Sequence, residues 1–447
     1  MKKKIITITL FIIAIVLVSI CVKRWNAWFS NPVEPPYESI AEPGRIQLTF
    51  GNTGEFSRNI SWQCGDSIVD SKLAIVKDGT TDTLYIQAEG KIFHTIGGTT
   101  VSYHTALNNL EEGTYHYNVQ TGENQSTWYQ FLVNNPKDKF SFVYLGDIQD
   151  TINGITKEFV SNIHRCESTA DFWVLGGDII ERPHDQYWNE YFKSMDSVSQ
   201  TIPIIAVPGN HEYLKGLTRR LEERFIYTFS YFINSRHKEH SVYNLQYGNT
   251  AIITLDSNRD FWTLFSQRKW LKNTLKEAES AKWKIVVLHH PIYSIKGKPN
   301  NLIVRTMFNS LIKKYQVDLV LQGHEHGYAR MINKKKENLA MPIYLIGQSS
   351  PKDYLLYFNK KYDRFGTGKR FYQNISVNGD SLFVKSYTET NELYDDICVV
   401  KENNKVDVFD YAIDIPEQLD INQVRRGMNS KKKQKYENDI RKWIQKQ

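Results

Sequence analysis

The sequence predicts an α/β domain that follows an all-β domain and an apolar N-terminal helix. Three observations support this fold class. A long apolar run lies near the N-terminus, strand-like segments without helical periodicity come next, and apolar strands then alternate with helix-like segments. The predicted boundaries are 1–24 for the helix, 25–44 for a linker, 45–135 for the all-β domain, 138–400 for the α/β domain and 401–447 for a polar, basic C-terminal tail.

The apolar run covers residues 5–22 and lies between three lysines at 2–4 and the pair Lys23 and Arg24. It is longer than the apolar part of a typical signal sequence (about 7–15 residues) and just long enough to span a bilayer (about 17–25 residues). Residues 19–21, Ser-Ile-Cys, fit a cleavage site poorly. We therefore expect an uncleaved membrane-anchor helix, with a signal sequence as the alternative. Because the lysines favour a cytoplasmic N-terminus, both alternatives predict export of the body, to the periplasm or the cell surface.

The net charge of +7 comes from one end of the chain. Residues 425–447 contain nine Lys and Arg against two acidic residues, so the rest of the chain sums to zero. A body without excess positive charge argues against a nucleic-acid partner. The basic tail is expected to be a solvated helix, with contact to anionic lipid as the alternative. The four cysteines show neither metal-type spacing nor a disulfide framework.

The segments that predict the all-β domain are rich in β-branched and aromatic residues. They read RIQLTFG, NISW, TLYIQAEG, GTYHYNVQ and WYQFLV, and several alternate with period 2. Short strands of this kind over about ninety residues indicate a β-sandwich. The Pro-rich stretch NPVEPPY in front of them is typical of an extended linker.

The segments that predict the α/β domain are apolar strands that stop at Gly, Asp, Asn or His. They read FSFVYLGD, DFWVLGGD, PIIAVPGNHE, AIITLDS, WKIVVLHH, DLVLQGHEH and PIYLIG, and helix-like runs at 267–280 and 301–315 separate some of them. This alternation predicts a sheet of largely buried strands. Strand patterning resumes over residues 374–400.

The ends of these strands carry the residues that predict chemistry. In open α/β sheets, functional groups gather at the carboxyl ends of the strands. Carboxylates, a carboxamide and imidazoles suit a pair of Zn, Mn or Fe class ions, and one shared carboxylate can bridge two cations about 3.5–4 Å apart. Singly, each residue would be an ordinary cap, turn or surface group, but together they predict a metal site: Asp147, Asp178, Asn210, His211, His289, His290, His324 and His326.

The order of these motifs resembles a known family. GD at 146–147, GD at 177–178, GNHE at 209–212, VVLHHP at 286–291 and GHEH at 323–326 are similar to the five-block signature of the calcineurin-like metallophosphoesterases. The β-rich domain in front of the first GD resembles the purple acid phosphatase branch. The resemblance covers roughly residues 40–400, and it implies a four-layer αββα catalytic domain preceded by a fibronectin-III-like sandwich.

The resemblance also implies a ligand set for two divalent cations of the Zn, Mn or Fe class. Asp178 would bridge the two ions. Asp147 and His326 would complete one site, and the other would be completed by Asn210, His289 and His324.

Three further residues receive catalytic roles from the resemblance. His211 would protonate the leaving oxygen or steady the charge of the transition state, and Glu212 would orient it. Arg330 matches the basic residue after the last His pair, although Ala329 replaces the usual Glu beside it.

Two departures from the family pattern concern the metals. The iron-ligating tyrosine of purple acid phosphatases, in GDxxY, is replaced by Glu181, and Gln149 stands where most other members have a histidine. We expect Gln149 to be a weak, neutral oxygen ligand and the centre to be colourless, with two divalent ions. Glu181 is expected to be either a partner of the site or a solvated side chain, and His290 to be a packing residue.

These features predict a dinuclear-metal phosphohydrolase. The expected reaction is hydrolysis of phosphate monoesters, in a phosphorylated small molecule or an exposed phosphoester, by attack of a metal-bound hydroxide. A phosphodiesterase or nucleotidase with the same centre is one alternative. A binding protein that has kept the fold without catalysis is the alternative from another class.

Overall fold

The computed structural model describes residues 2–51, 54–230, 241–297, 301–332, 342–403, 405–420 and 429–445. Its first element is helix α1 (Lys2–Phe29), which runs five residues past the predicted end. The stretch Ile6–Asn26 is long and apolar enough to cross a membrane.

Nine strands follow before residue 135, and the described residues from 54 to 133 contain no helix. They are β1 (Gly44–Gly51), β2 (Gly54–Gln63), β3 (Ser71–Lys77), β4 (Leu84–Gln87), β5 (Glu89–His94), β6 (Thr99–Leu107), β7 (Gly113–Thr121), β8 (Asn124–Gln125) and β9 (Tyr129–Val133). One sheet has the order β1-β2-β6-β5, and a second has the order β4-β3-β7-β8, with β9 also on β7. Trp62 of the first sheet and Tyr117 of the second belong to one hydrophobic core, as expected for a sandwich.

The second region alternates strands and helices. Its first half consists of β10 (Lys139–Leu145), α2 (Thr156–Cys166), β11 (Phe172–Leu175), α3 (Asp185–Ser194), β12 (Ile204–Ala206), β13 (Tyr213–Leu214), β14 (Arg220–Leu221), α4 (Glu223–Thr228), β15 (Asn244–Tyr247), β16 (Thr250–Leu255) and α5 (Phe261–Glu277). Its second half consists of β17 (Trp283–Leu288), α6 (Leu302–Lys314), β18 (Leu319–Gln322), β19 (Tyr328–Ile332), β20 (Ile343–Ile346), β21 (Arg364–Gly366), β22 (Phe371–Asn378), β23 (Ser381–Thr388), β24 (Leu393–Glu402), β25 (Lys405–Asp410) and α7 (Ser430–Ile444). Short 3-10 turns lie at Asn210–Glu212 and Ala278–Ser280.

Strand β17 shows how these elements are layered. Ile285 and Val287 belong to the core shared with β10 and β11, whereas Val286 and Leu288 belong to the core shared with α5 and α6. Since successive side chains of a strand point to opposite faces, one face of this sheet packs on the other sheet and the opposite face packs on helices. The buried side chains of α2 and α3 belong to the first core as well. The predicted αββα layering is confirmed.

The two regions share a sheet. Strands β25-β24-β23-β22-β10-β11-β12 continue into β1-β2-β6-β5, and the junction is a parallel pairing of Thr49 with Ile204. The other large sheet of the second region has the order β15-β16-β17-β18-β20-β19-β21. The domain boundaries given above stay a prediction, because continuous hydrogen bonding crosses between the two regions.

The segment between α1 and β1 is attached to both regions of the protein. Glu34 is buried, and its carboxylate accepts hydrogen bonds from the backbone of Gly97 at 2.8 Å, the backbone of Asp185 at 2.6 Å and the Arg224 guanidinium at 2.5 Å. Residues 30–43 contain neither helix nor strand, and Glu34 fixes this stretch to both regions.

The region 401–447, predicted to be a polar tail, contributes a strand and a packed helix. β25 extends the first sheet beside β24. Helix α7 buries Tyr436 and Ile440 in the second core, where Phe358 and Trp443 stack at 5.8 Å. The lysines of this helix that the structure describes are exposed, as expected for a solvated helix, but an apolar stripe between them packs on the second core. The basic residues of 421–428 and 446–447 lie outside the described residues.

Candidate metal centre

The sequence-predicted ligands follow strands that end at one edge of the two sheets. β10, β11 and β12 are parallel, as are β16, β17 and β18, so their carboxyl ends lie together. Two hydrogen bonds connect the two edges: His324 N–H donates to Asp147 Oδ2 at 2.6 Å, and His289 Nδ1 lies 2.9 Å from the Gly176 carbonyl oxygen. The residues after these strands are Asp147, Asp178, Asn210, His289 and His324.

Four of the predicted ligands have left-handed backbone conformations. The φ angles are 57° for Asp147, 48° for Asp178, 75° for His324 and 45° for His326. Such φ values cost residues with a Cβ about 1–2 kcal/mol each. Strain of this kind concentrates at functional sites, where the surrounding structure imposes it. The chain turns sharply at each strand end in order to aim these side chains inward.

The glycines in front of Asn210 and His324 are required by close approach. A Cβ at Gly209 would lie 2.1 Å from Asp178 Oδ1, and a Cβ at Gly323 would lie 2.5 Å from Asp147 Oδ2. Both distances are far below van der Waals contact, so any larger residue would displace a carboxylate.

The acidic and imidazole side chains form two groups that share one member. Asp178, His289 and His324 bring their ligand atoms within 4.8 Å of one another, and so do Asp147, Asp178 and His326. Asp178 therefore lies in both groups. His289 Nε2 is 3.3 Å from Asp178 Oδ2, and His324 Nδ1 is 3.2 Å from His289 Nε2.

The two predicted amide ligands lie near these groups. Asn210 Oδ1 is 3.4 Å from His289 Nε2, which places it beside the first group. Gln149 is buried, and its backbone N–H donates to the Asp178 carbonyl oxygen at 3.0 Å. Neither amide atom of the Gln149 side chain has a hydrogen-bond partner among the described residues.

The structure assigns Glu212 a different contact from the predicted one. Its buried carboxylate accepts backbone N–H groups from Asp178 at 3.0 Å, Ile179 at 2.9 Å and Gly209 at 2.6 Å. It therefore fixes the turn that carries Asp178 and does not orient the imidazole of His211. That prediction was wrong, because the donors nearest to the carboxylate are backbone groups of the preceding GD turn.

His211 is oriented by Glu181 instead. Its Nδ1 is hydrogen-bonded to the Glu181 carbonyl oxygen, and its Nε2 lies 3.9 Å from Asp178 Oδ2. The Glu181 carboxylate forms an ion pair with Lys352. Of the two alternatives for Glu181, the structure favours a partner of the site over a solvated side chain.

Arg330 lies apart from this cluster. Its buried guanidinium forms two hydrogen bonds of 3.0 Å with Asp395 and a 2.8 Å ion pair with Asp410. Arg330 is therefore not part of the catalytic set, because Asp395 and Asp410 neutralise its charge between β19 and the strands β24 and β25.

Burial and charge set the protonation states of the ligands. Burial lowers the pKa of His326 to about 3 and holds the pKa of His324 well below its ordinary value, so both imidazoles are neutral. Burial raises the pKa of Asp147 to about 7. Burial alone would raise the pKa of Asp178 and lower that of His289, but their mutual attraction reverses both: the pKa of Asp178 falls well below its ordinary value, and that of His289 rises to about 9.

Three residues near the ligands were not found by sequence reasoning. Lys296 Nζ donates to the His324 carbonyl oxygen at 2.7 Å and lies 4.3 Å from the centre of the Tyr354 ring. The Tyr354 ring in turn contacts His326 at 4.5 Å between ring centroids, and Lys352 pairs with Glu181. Since all three lie in loops without a motif, the sequence gives no signal for them. His290 hydrogen-bonds Ser257 at 3.0 Å, as a packing residue can.

The donor set fits two cations. Asp147 Oδ1 and His326 Nδ1 are buried without a hydrogen-bond partner among the described residues, as are the Gln149 amide atoms. Unpartnered buried donors and acceptors are costly, and a metal ligand is a common reason for them. Carboxylate, carboxamide and imidazole donors suit the Zn, Mn and Fe class.

Comparisons with known proteins agree with this geometry. A family model described as calcineurin-like phosphoesterase matches residues 140–328. "Probable purple acid phosphatase 20" of Arabidopsis thaliana is 23% identical over 328 residues, which cover 68% of this chain and 73% of that protein. "Fe(3+)-Zn(2+) purple acid phosphatase 12" of the same plant is 24% identical over 259 residues, which cover 54% of each chain.

A solved structure extends the similarity to the fold. Purple acid phosphatase PPD1 from yellow lupin seeds matches with a TM-score of 0.65 at 16% identity, covering 81% of this chain and 75% of that chain. At this identity the match shows a shared fold. The chain spans about half to three quarters of the relatives' length, from 54% to 73%. The order of motifs, the layered fold and the family match agree: residues 140–328 of this chain are similar to the calcineurin-like phosphoesterases, and purple acid phosphatases are among the similar proteins.

Proposed function

We propose that this chain is a hydrolase that cleaves phosphate monoesters with a dinuclear metal centre. The observation that carries the proposal is the position of Asp178 in both ligand groups. Two cations bound there would polarise the phosphoryl oxygens and lower the pKa of a bound water. Asp147, Gln149 and His326 would hold one cation with Asp178, and the other would be held by Asp178, Asn210, His289 and His324.

His211 is our proposed proton donor to the leaving oxygen. Burial alone would lower the pKa of His211, but the Asp178 carboxylate and the Glu181 carbonyl oxygen raise it above its ordinary value. The bond from Nδ1 to the Glu181 carbonyl oxygen leaves Nε2 on the side of Asp178. A proton held at Nε2 can pass to the alkoxide as the ester bond breaks.

We propose two divalent ions rather than a ferric centre. The tyrosine of the purple enzymes is replaced by Glu181, whose carboxylate pairs with Lys352. A protein loaded with iron should therefore lack the visible absorption that a phenolate ligand gives.

We also propose that the chain is exported and anchored by α1. The helix contains the apolar stretch Ile6–Asn26, and its described large apolar side chains are exposed. Exposed apolar side chains over this length suit a bilayer. Recovery of intact chain in membrane fractions, with residues 1–24 still attached, would support an anchor, and a shortened soluble chain would support the signal-sequence alternative.

The test of the enzymatic proposal compares two esters. Detergent-solubilised full chain is loaded with Mn²⁺ or Zn²⁺ and assayed on an aryl phosphate and on an aryl phosphodiester. We expect faster hydrolysis of the monoester. Preference for the diester would favour the phosphodiesterase alternative, and no hydrolysis with no retained metal would favour the binding protein.

A matched pair of variants controls for the charge change. Asp178→Asn should abolish turnover, because the shared ligand loses its charge. Asp138→Asn changes an exposed aspartate of the same domain and should retain activity.

A further inference from the structure

The end of the anchor helix is attached directly to the rim of the metal centre. Asn31, two residues beyond α1, donates from Nδ2 to the Lys215 carbonyl oxygen at 2.9 Å, and its Oδ1 accepts the Lys215 N–H at 2.7 Å. This reciprocal pair holds the chain after the helix against the segment that follows His211 and Glu212.

A cleft lies between these two segments. Asn31 and Pro32 form one side, and Asn210, His211 and Lys215 lie on the other, around a volume of ≈ 360 Å³. Two of these lining residues are the predicted ligand Asn210 and the proposed proton donor His211. The cleft therefore opens from the metal centre toward the end of the anchor helix.

The rim of the cleft is a basic hairpin with an apolar tip. β13 and β14 pair Tyr213 with Leu221, and Leu217 between them is 86% exposed. Lys215, Arg219 and Arg220 flank this tip and are exposed. An apolar tip between basic residues is typical of a segment that lies at a membrane surface, where anionic head groups attract Lys and Arg.

The length of the chain fixes how far the cleft can lie from the bilayer. The apolar stretch of α1 ends at Asn26, and the exposed Trp25 and Trp28 are residue types that favour the interface. Asn31 lies five residues after Asn26, three of them in the helix and two beyond it, a span of roughly 10 Å. With α1 in the bilayer, as proposed above, the opening of the cleft would lie at the level of the lipid head groups.

We propose that the cleft receives the phosphate monoester head group of a lipid in the same membrane, which the hairpin Tyr213–Leu221 contacts. This rests on the proposed function and names its substrate class. Water supplies the oxygen that joins phosphorus, the bond between phosphorus and the lipid oxygen breaks, and the proton from His211 goes to that oxygen. The products are inorganic phosphate and a neutral lipid alcohol.

The first experiment compares a lipid with a soluble ester. Metal-loaded full chain in nanodiscs is assayed on phosphatidic acid within the disc and on glycerol 3-phosphate in solution. Leu217→Asp should lower the ratio of the two rates at least about tenfold, since it places a charge at the membrane contact. Leu84→Asp, at a site on β4 that is 64% exposed, should leave the ratio unchanged.

The outcomes separate this inference from the proposed function. Hydrolysis of glycerol 3-phosphate with an unchanged ratio in Leu217→Asp, or without turnover of phosphatidic acid, would overturn the lipid substrate alone. Failure to hydrolyse either ester would overturn the proposed function and the inference that rests on it.

The second experiment does not depend on activity. A photo-crosslinking amino acid at position 217 or at position 84 is irradiated in nanodiscs that contain phosphatidic acid, with metal-free full chain. We expect lipid adducts at 217 and at least about tenfold fewer at 84, since only the hairpin tip should reach the bilayer. Equal yields at the two positions would contradict contact between the hairpin and the membrane.

Discussion

The Asp178 carboxylate lies 3.3 Å from the His289 imidazole, measured from Oδ2 to Nε2. Their attraction outweighs burial, so the pKa of His289 rises to about 9 while that of Asp178 falls well below its ordinary value. Near neutral pH the metal-free protein therefore holds a proton at a position where a cation would bind. Metal uptake must displace that proton.

Metal should stabilise the protein more at high pH than at low pH. The folded-state pKa values of Asp147, about 7, and of His289, about 9, both lie above the unfolded-state values of 3.8 and 6.5. Each group therefore contributes stability that is lost as pH rises through its folded pKa. The Tm of metal-free protein should fall from about pH 7 to about pH 9 through His289, above the range in which the lowered pKa values of His324 and His326 act with the opposite sign, and the rise in Tm on adding Mn²⁺ should grow over the same interval.

Differential scanning calorimetry with and without Mn²⁺ checks this dependence. Asp138→Asn should behave as wild type, because its side chain is exposed. If the increase in Tm on metal addition were the same at both ends of this pH interval, the displacement of a proton by the metal would be contradicted.

Gln149→Ala should weaken binding of the cation held by Asp147 by about tenfold or more, because an oxygen donor is removed. Gln149→His, which restores the residue usual in the family, should recover binding. Gln373 is a matched control, since it is also buried with both amide atoms unpartnered among the described residues, yet it lies within strand β22, opposite Tyr144. Metal titration followed by calorimetry measures the affinity. Equal losses of metal affinity in Gln149→Ala and Gln373→Ala would show that Gln149 is a packing residue and not a ligand.

His211→Asn should slow the hydrolysis of an alkyl phosphate by about 10²–10⁴-fold. Hydrolysis of an aryl phosphate with a nitro group should slow less, because its leaving oxygen needs no proton. Steady-state rates on both esters, with metal content checked to be unchanged, test the role. If the hydrolysis of both esters slows equally, His211 stabilises the charge of the transition state and does not act as a proton donor.

Glu34→Gln should destabilise the fold by about 1–3 kcal/mol, because it removes the shortest ion pair of the buried Arg224, which keeps Glu222 and Asp185 as partners. Chemical denaturation measures the change. Glu38→Gln, at an exposed position of the same segment, should change the free energy of unfolding by less than about 0.5 kcal/mol. Similar effects in the two variants would mean that Glu34 does not fix the linker.

The site was predictable from the sequence because its ligands are local signals. Each of these ligands lies within four residues of the end of an apolar strand, and parallel strands end at a common edge: Asp147, Asp178, Asn210, His289 and His324. The layered α/β fold was predictable for the same reason, since buried strands and amphipathic helices have different periods.

The errors came from residues whose partners are distant or belong to the backbone. Arg330 finds Asp395 sixty-five residues later in the chain, and Glu212 finds backbone N–H groups, which no sequence pattern displays. The packing of α7 had a readable signal, because Tyr436, Ile440 and Trp443 recur at the spacing of one helix face.

Metal content per folded chain tests whether Asp178 serves two cations at once. Wild type and Asp138→Asn, loaded with Mn²⁺ or Zn²⁺ and desalted, should each retain about two ions by plasma mass spectrometry. Asp147→Asn should retain about one ion, and Asp178→Asn should lose most of both, because only Asp178 belongs to both groups. Equal metal content in Asp147→Asn and Asp178→Asn, with both variants folded by circular dichroism, would contradict the shared ligand.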